Sequence, residues 1–417
     1  MHDLGFLLGA CVLACSGSSS IPTVAPDAAT GGIDSAASGI AGAVDASPDF
    51  GAPPTGAGPI VYVGGFRPEI DIYRLDMATF KLTQVAQVAN PPPQPSFFAW
   101  ASSGKFAYSV DESDNGRVVA YSVNTATGML TRLNDVQAFG VGPTYIALDR
   151  SGKWALTASW AEDRPASISV VGIGSDGKVI LGPNTPAAAH GTPFDSRSFS
   201  VNGHAHFITT DPSNKFVFAS INGEQYIAQY KFDATTGKLT ENNPFKAVRT
   251  PTPADPRHLD FHPNGKFLYA GNESASSVTV FSFDSSTGLL TQVQDISTLP
   301  AGFAMPNTTA QILVHKSGKF LYISNRGHDS IAMFSVDQTT GMLKLLGHQM
   351  VGVHPRNFNF DPTGTLLLVA NRENGTNNGT VVIYKVDQTT GMLQQVGSPT
   401  VVGFRPTYVG VLNIPGI

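Results

Sequence analysis

The sequence predicts an all-β fold, a seven-bladed β-propeller closed by pairing of its N- and C-terminal strands, and three observations point to it. A sheet-forming unit of about fifty residues recurs along the chain. The turn that closes each unit, built around Gly-x-Leu, returns seven times. The end of the chain copies the opening strand of a unit, and the first sheet-like segment copies the strand that should follow it. Glycine (43) and proline (29) are plentiful while charged residues are only 14%, which suits short strands and tight turns better than amphipathic helices.

The chain starts differently. Leu4 to Leu13 is an apolar run of about ten residues, too short to span a bilayer but right for a signal-peptide core. Residues 1–15 resemble a bacterial lipoprotein signal with Cys15 as the lipidated residue, although Met1-His2-Asp3 lacks the usual basic residues. The expectation is export to the cell envelope, lipid-anchored or periplasmic/extracellular, with the lipid at Cys15 as the sole membrane contact. Residues 16–57 are rich in Ser, Ala, Gly and Pro, contain no Lys or Arg, and read as a disordered linker. The propeller is expected over 58–417. Cys11 and Cys15 are the only cysteines, so the folded part has no disulfide to form.

The clearest unit runs Phe261-His-Pro-Asn-Gly-Lys-Phe-Leu-Tyr-Ala-Gly-Asn-Glu273, then Ser277 to Asp284, then Ser286-Thr-Gly-Leu-Leu290. Pro-Asn-Gly and Ser-Thr-Gly are turn clusters, and the stretches between them are β-branched and aromatic runs of strand length. The closing turn recurs at 76–82, 124–130, 175–180, 233–239, 284–290, 337–343 and 387–393. Arg405-Pro-Thr-Tyr-Val-Gly-Val-Leu412 matches the opening strand Gly142-Pro-Thr-Tyr-Ile-Ala-Leu148, and Ile60-Val-Tyr-Val-Gly-Gly65 matches the second strand. One blade should therefore be shared between the termini, which leaves no exposed sheet edge at the seam.

Aligned units expose where the repeat departs from itself. The strand-start position of Arg257 is occupied elsewhere by Ser96, Thr144, His206, Ala310, Arg356 and Thr407. The position of Glu273 is occupied by Phe66, Glu112, Trp160, Asn222, Arg326 and Arg372. Packing would favour small apolar side chains here, because an unpaired buried charge is costly. The two sets thus outline a cationic pocket at one mouth of the channel, with a carboxylate and an imidazole set into it.

The segments Asp255-Pro-Arg-His258, Tyr269-Ala-Gly-Asn-Glu273, Ser324-Asn-Arg-Gly-His-Asp-Ser330 and His354-Pro-Arg356 resemble the lactonase family of seven-bladed propellers. That family includes 6-phosphogluconolactonases and fungal carboxymuconate-cyclising enzymes. The resemblance implies catalytic roles for His206, Arg257, Glu273 and Arg326. Beside them, His204, Arg356, Arg372, Glu112 and Trp160 are candidate substrate contacts. Arg257 and Arg326 would hold an anionic group and stabilise an oxyanion, and Glu273 or His206 would serve as base. The implied function is opening of a small anionic sugar or muconate-type lactone. The alternative is a non-catalytic, envelope-tethered propeller that binds a ligand or protein.

Other classes are disfavoured. A formal net charge of −5 with no Lys/Arg-rich run leaves no footprint for nucleic acid. There is no phosphate loop, nucleophile elbow or clustered Cys/His pattern, so no cofactor is expected. His204 and His206 have a metal-ligand spacing but no evident third ligand, so no metal is assigned. Spacing alone leaves open which of the two faces the channel. His258, His262, His315 and His328 lie in turns or beside the ring positions and read mostly as structural. A monomer is expected.

Overall fold

The computed structural model describes residues 58–138, 140–160, 167–180, 204–248, 253–373 and 378–412. The segments expected to be signal and linker, with Cys15, lie outside them. The described residues contain no helix; their twenty-eight strands form seven four-stranded sheets, antiparallel throughout and taken in chain order around the ring. This is the propeller the repeat predicts.

Blade five shows why each element forms. Its innermost strand is Pro256–Phe261, followed outward by Phe267–Asn272, Ser277–Asp284 and Leu289–Ser297. The second strand is buried at all six positions, because sheets of both neighbouring blades cover it, and so it reads as an unbroken apolar run. The outermost strand mixes exposed and half-buried residues. Between blades the core is continuous: Tyr269, Val278 and Val280 pack with Leu321, Ile323 and Phe334 of blade six.

The seam closes as the termini suggest. Pro406–Leu412 pairs with Ile60–Gly65, from Ile60 opposite Leu412 to Gly64 opposite Tyr408, and becomes the innermost strand of blade one.

The repeated turn also joins the blades. In blade six Asp337 Oδ1 accepts from the amides of Thr339 (2.9 Å) and Thr340 (2.8 Å), and Gly341 N donates to Asp337 O at 2.8 Å. Gly341 takes φ +72°, and a Cβ there would lie 2.5 Å from the ring of Phe267 in blade five. Its carbonyl accepts the buried hydroxyl of Tyr269 at 3.0 Å. The same Tyr-to-Gly tie runs from Tyr62 to Gly128 (2.6 Å), Tyr108 to Gly177 (3.0 Å) and Tyr322 to Gly391 (2.7 Å). Two histidines read as structural extend the pattern. His262 Nε2 meets Gly318 O and His315 Nε2 meets Gly364 O, each at 2.9 Å and each across to the next blade.

Two variants separate these roles. Tyr269→Phe leaves a buried carbonyl unpaired and should cost about 1–2 kcal/mol. Gly341→Ala should cost about 2 kcal/mol or more, since it adds left-handed strain to a collision with Phe267. Urea unfolding midpoints check both.

Candidate functional site

The side chains at the channel mouth are aimed by one backbone device. In five innermost strands besides the seam the pairing slips at the ring residue: between Pro143 and Tyr145, Ala205 and Phe207, Pro256 and His258, Thr309 and Ile312, and Pro355 and Asn357. The seam strand slips at Thr407. Thr144, His206, Arg257, Ala310, Arg356 and Thr407 are thus bulge residues, released from the ladder and turned toward the axis. The second ring is set by the neighbouring strand. The amides of Glu112, Trp160 and Glu273 donate to the carbonyls of Gln94, Gly142 and Asp255, at 2.8–2.9 Å. Each acceptor lies two residues before a first-ring residue, so the rings stand in fixed register.

First-ring residues from six blades, Ser96, Thr144, His206, Arg257, Arg356 and Thr407, line one narrow cavity, joined by Phe97, Glu112, His258 and Asn357. Beside it lies a buried ion cluster spanning three blades. Glu273 Oε1 pairs with Arg326 Nη2 and stands 3.6 Å from Arg257 Nε. Glu273 Oε2 accepts from Asn222 Nδ2 at 2.6 Å, and Arg326 Nη2 also donates to Thr309 O at 2.8 Å. Arg257, Arg326 and Glu273 are 2%, 4% and 6% exposed, so removing one charge strands the others in a medium that solvates them poorly.

A second pair of arginines comes from blade seven. Arg356 lies 4.0 Å from Glu112 Oε1, and its guanidinium and that of Arg372 stand 5.2 Å and 5.6 Å from the ring of Phe66. Four arginines against two carboxylates leave the two rings a net excess of positive charge.

The two histidines left open by the sequence part company. His206 lines the cavity, and its Nδ1 is buried with no hydrogen-bond partner among the described residues. His204 stacks flat on Trp160, centroids 4.0 Å apart, and its Nδ1 meets Trp160 O at 2.7 Å. The pair therefore forms a wall, edge-on to His206 at 5.4 Å. No group of three or more metal-ligating side chains occurs among the described residues. Burial, then the positive fields of Arg257, His258 and Arg356, holds the imidazole of His206 well below its usual range. A neutral imidazole facing a cationic cavity can accept a proton, and the arginines can hold an anion.

His258, grouped with the structural histidines in the sequence, is here part of the cavity. Alternation along a strand would send Arg257 and His258 to opposite faces, but the bulge gives both the channel side. The signal was present in Asp255-Pro-Arg-His258; the bulge that gives it meaning was not visible. Ser96 Oγ and Asn357 Nδ2 are likewise buried in the lining without partners among the described residues.

Toward the turn ends of the inner strands lies a larger cavity of about 430 Å³ lined by Tyr145, Arg150, Thr209, Asp260 and Gln311. Asp260 Oδ2 accepts from Val314 N at 2.7 Å, and burial raises its carboxyl to about 7.

Comparison with known proteins follows the same lines. Residues 60–410 match the profile described as "Lactonase, 7-bladed beta-propeller". A 6-phosphogluconolactonase of Bacillus subtilis is 30% identical over 309 residues, 74% of this chain and 84% of that protein. One from Pectobacterium carotovorum is 34% identical over 257 residues, 62% of this chain and 71% of that protein. A periplasmic gluconolactonase of Pseudomonas aeruginosa superposes with a TM-score of 0.74 at 25% identity, covering 86% of this chain and 99% of the other.

The buried titrations have opposite signs. His206 and His258 are both held low, so the unfolded chain binds more protons below about pH 6.5 and acid destabilises the fold. Asp260 rises from 3.8 to about 7, so the folded chain binds the extra proton there and stability falls as pH climbs through that window. Asp260→Asn should therefore raise the melting temperature relative to the native chain by an increment that grows from pH 5 to pH 8, as scanning calorimetry across that range would show.

Proposed function

Because the chain belongs to the seven-bladed β-propeller lactonase family, we propose that it hydrolyses a small anionic sugar lactone at the cationic mouth of its channel. The observation that carries this reading is convergence. The unpartnered His206 Nδ1, Ser96 Oγ and Asn357 Nδ2 meet Arg257 and Arg356 on one cavity. Unsatisfied buried polar atoms are rare and costly, and together they have the character of a site awaiting an oxygen-rich ligand.

The enclosed part of that cavity is about 10 Å³, the size of one oxygen-bearing group. A reacting oxygen fits inside, with the sugar ring lying toward the mouth. Water attacks the lactone carbonyl while neutral His206 takes its proton, and Arg257 stabilises the oxyanion. The ring C–O bond then breaks, and the imidazolium returns the proton to the departing ring oxygen, leaving a carboxylic acid and a hydroxyl. Glu273, with its oxygens engaged by Arg326, Arg257 and Asn222, orients the arginines; His206 is the better base. Arg356 and Arg372, from blade seven, would hold a phosphate or carboxylate substituent. Trp160 and His204 form the wall on which the sugar rests.

Residues 1–15 fit an exported, Cys15-acylated protein, and a periplasmic gluconolactonase among the structural neighbours supports the same compartment. In that case the substrate is a lactone available outside the cytoplasm. Intact mass of the envelope-extracted protein checks the acylation.

The test is ring opening of glucono-δ-lactone and its 6-phosphate by purified residues 58–417, corrected for the spontaneous rate. Glu273→Gln and Arg326→Ala should each lower kcat/KM by about 10²–10³-fold. Arg372→Ala should raise KM for the phosphorylated lactone more than for the neutral one. Wild type indistinguishable from the spontaneous rate with both lactones would favour a non-catalytic binding propeller.

A further inference from the structure

His258 is more completely specified than any other histidine of the channel. Its Nδ1 lies 2.5 Å from Gln311 Oε1, and its Nε2 lies 3.2 Å from Arg257 Nη1. A guanidinium can only donate, so Nε2 must be the bare nitrogen and Nδ1 must carry the proton. The far partner agrees: Gln311 Nε2 faces Phe358 O at 3.4 Å, which turns the amide oxygen to the imidazole. Gln311 is itself fixed, 4% exposed in the blade-six bulge, with its backbone N–H donating to Ser324 Oγ at 3.0 Å. The imidazole is caged by Tyr145 (5.2 Å), Phe207 (5.3 Å), Phe97 (5.9 Å) and His206 (5.2 Å).

We propose that His258, locked by Gln311 as its Nδ1–H tautomer, is the positioning residue that orients the Arg257 guanidinium over the channel cavity. Glu273 attracts Arg257 from one side, 3.6 Å from Nε, and His258 accepts from Nη1 on the other, which restrains the fork. A protonated His258 would present a donor where Arg257 needs an acceptor. Burial and the field of Arg257 oppose that protonation, with Arg356 and Arg326 adding to it. The inference rests on the lactonase reading only for its effect on rate.

Two replacements distinguish positioning from packing. His258→Phe fills the aromatic cage but removes the acceptor; His258→Gln disturbs the cage but can offer Oε1 to Arg257. Positioning requires His258→Phe to lower kcat by about ten- to a hundredfold with KM little changed, while His258→Gln recovers part of the loss. A packing role gives the reverse order, with Phe the better replacement, and would overturn the proposal. Independently of turnover, ¹⁵N NMR of the imidazole should show the Nδ1–H form at neutral pH, lost in Gln311→Leu; an Nε2–H form in the native protein also overturns it. If the native protein opens no lactone, the functional reading falls while the tautomer still decides this one.

Discussion

The backbone ladder between Ile60–Gly65 and Pro406–Leu412 is the constraint on which the rest of the molecule depends. The channel mouth takes residues from every blade: Phe66 and Thr407 from the first, Arg356 and Arg372 from the last, His206, Arg257 and Arg326 from those between. No blade supplies all four arginines by itself. Arg257 and Arg356 line one narrow cavity because the ring is closed. The Tyr-to-Gly ties and the His262 and His315 contacts work to the same end, since each crosses from one blade's inner strands to a turn of the next.

Within that ring the site is built by an irregularity used repeatedly. A bulge in six of the seven inner strands withdraws one residue from pairing, and the residue it presents is free to differ from blade to blade. Threonine or alanine there merely lines the channel; histidine and arginine make it chemical. The surrounding charge then determines which chemistry is available. Burial and neighbouring arginines keep His206 neutral, while Glu273 is engaged by Arg326, Arg257 and Asn222.

Much of this was legible in the chain. The repeat is long and strongly patterned, so the sheet count, the seam and both rings follow from aligning its copies, and His206, Arg257, Glu273, Arg326, Arg356 and Arg372 emerge as departures from the average. What stayed hidden depends on local geometry or on contacts between distant segments. The bulge overturns simple alternation, so His258 reads as structural until the backbone shows it sharing the channel side with Arg257. The same slip separates His206 from His204, which instead stacks on Trp160 from the blade before. Asn222, one repeat before Glu273 and at the equivalent position, donates to that carboxylate; the alignment places the two in one ring, and the bond itself appears only in the structure. The glycines read as members of turn clusters; that Gly341 also leaves room for Phe267 of the preceding blade appears only once the blades are side by side.

The central claim is that the cationic mouth binds the reacting end of a lactone against His206 and Arg257. A crystal structure of residues 58–417 with an aldonate, the ring-opened product of a sugar lactone, tests it most directly. The carboxylate should lie within hydrogen-bonding distance of Arg257 and His206 Nδ1, with the sugar chain directed toward Arg356 and Arg372. An aldonate seated instead in the larger cavity beside Asp260, or a mouth left empty at saturating ligand, would contradict it.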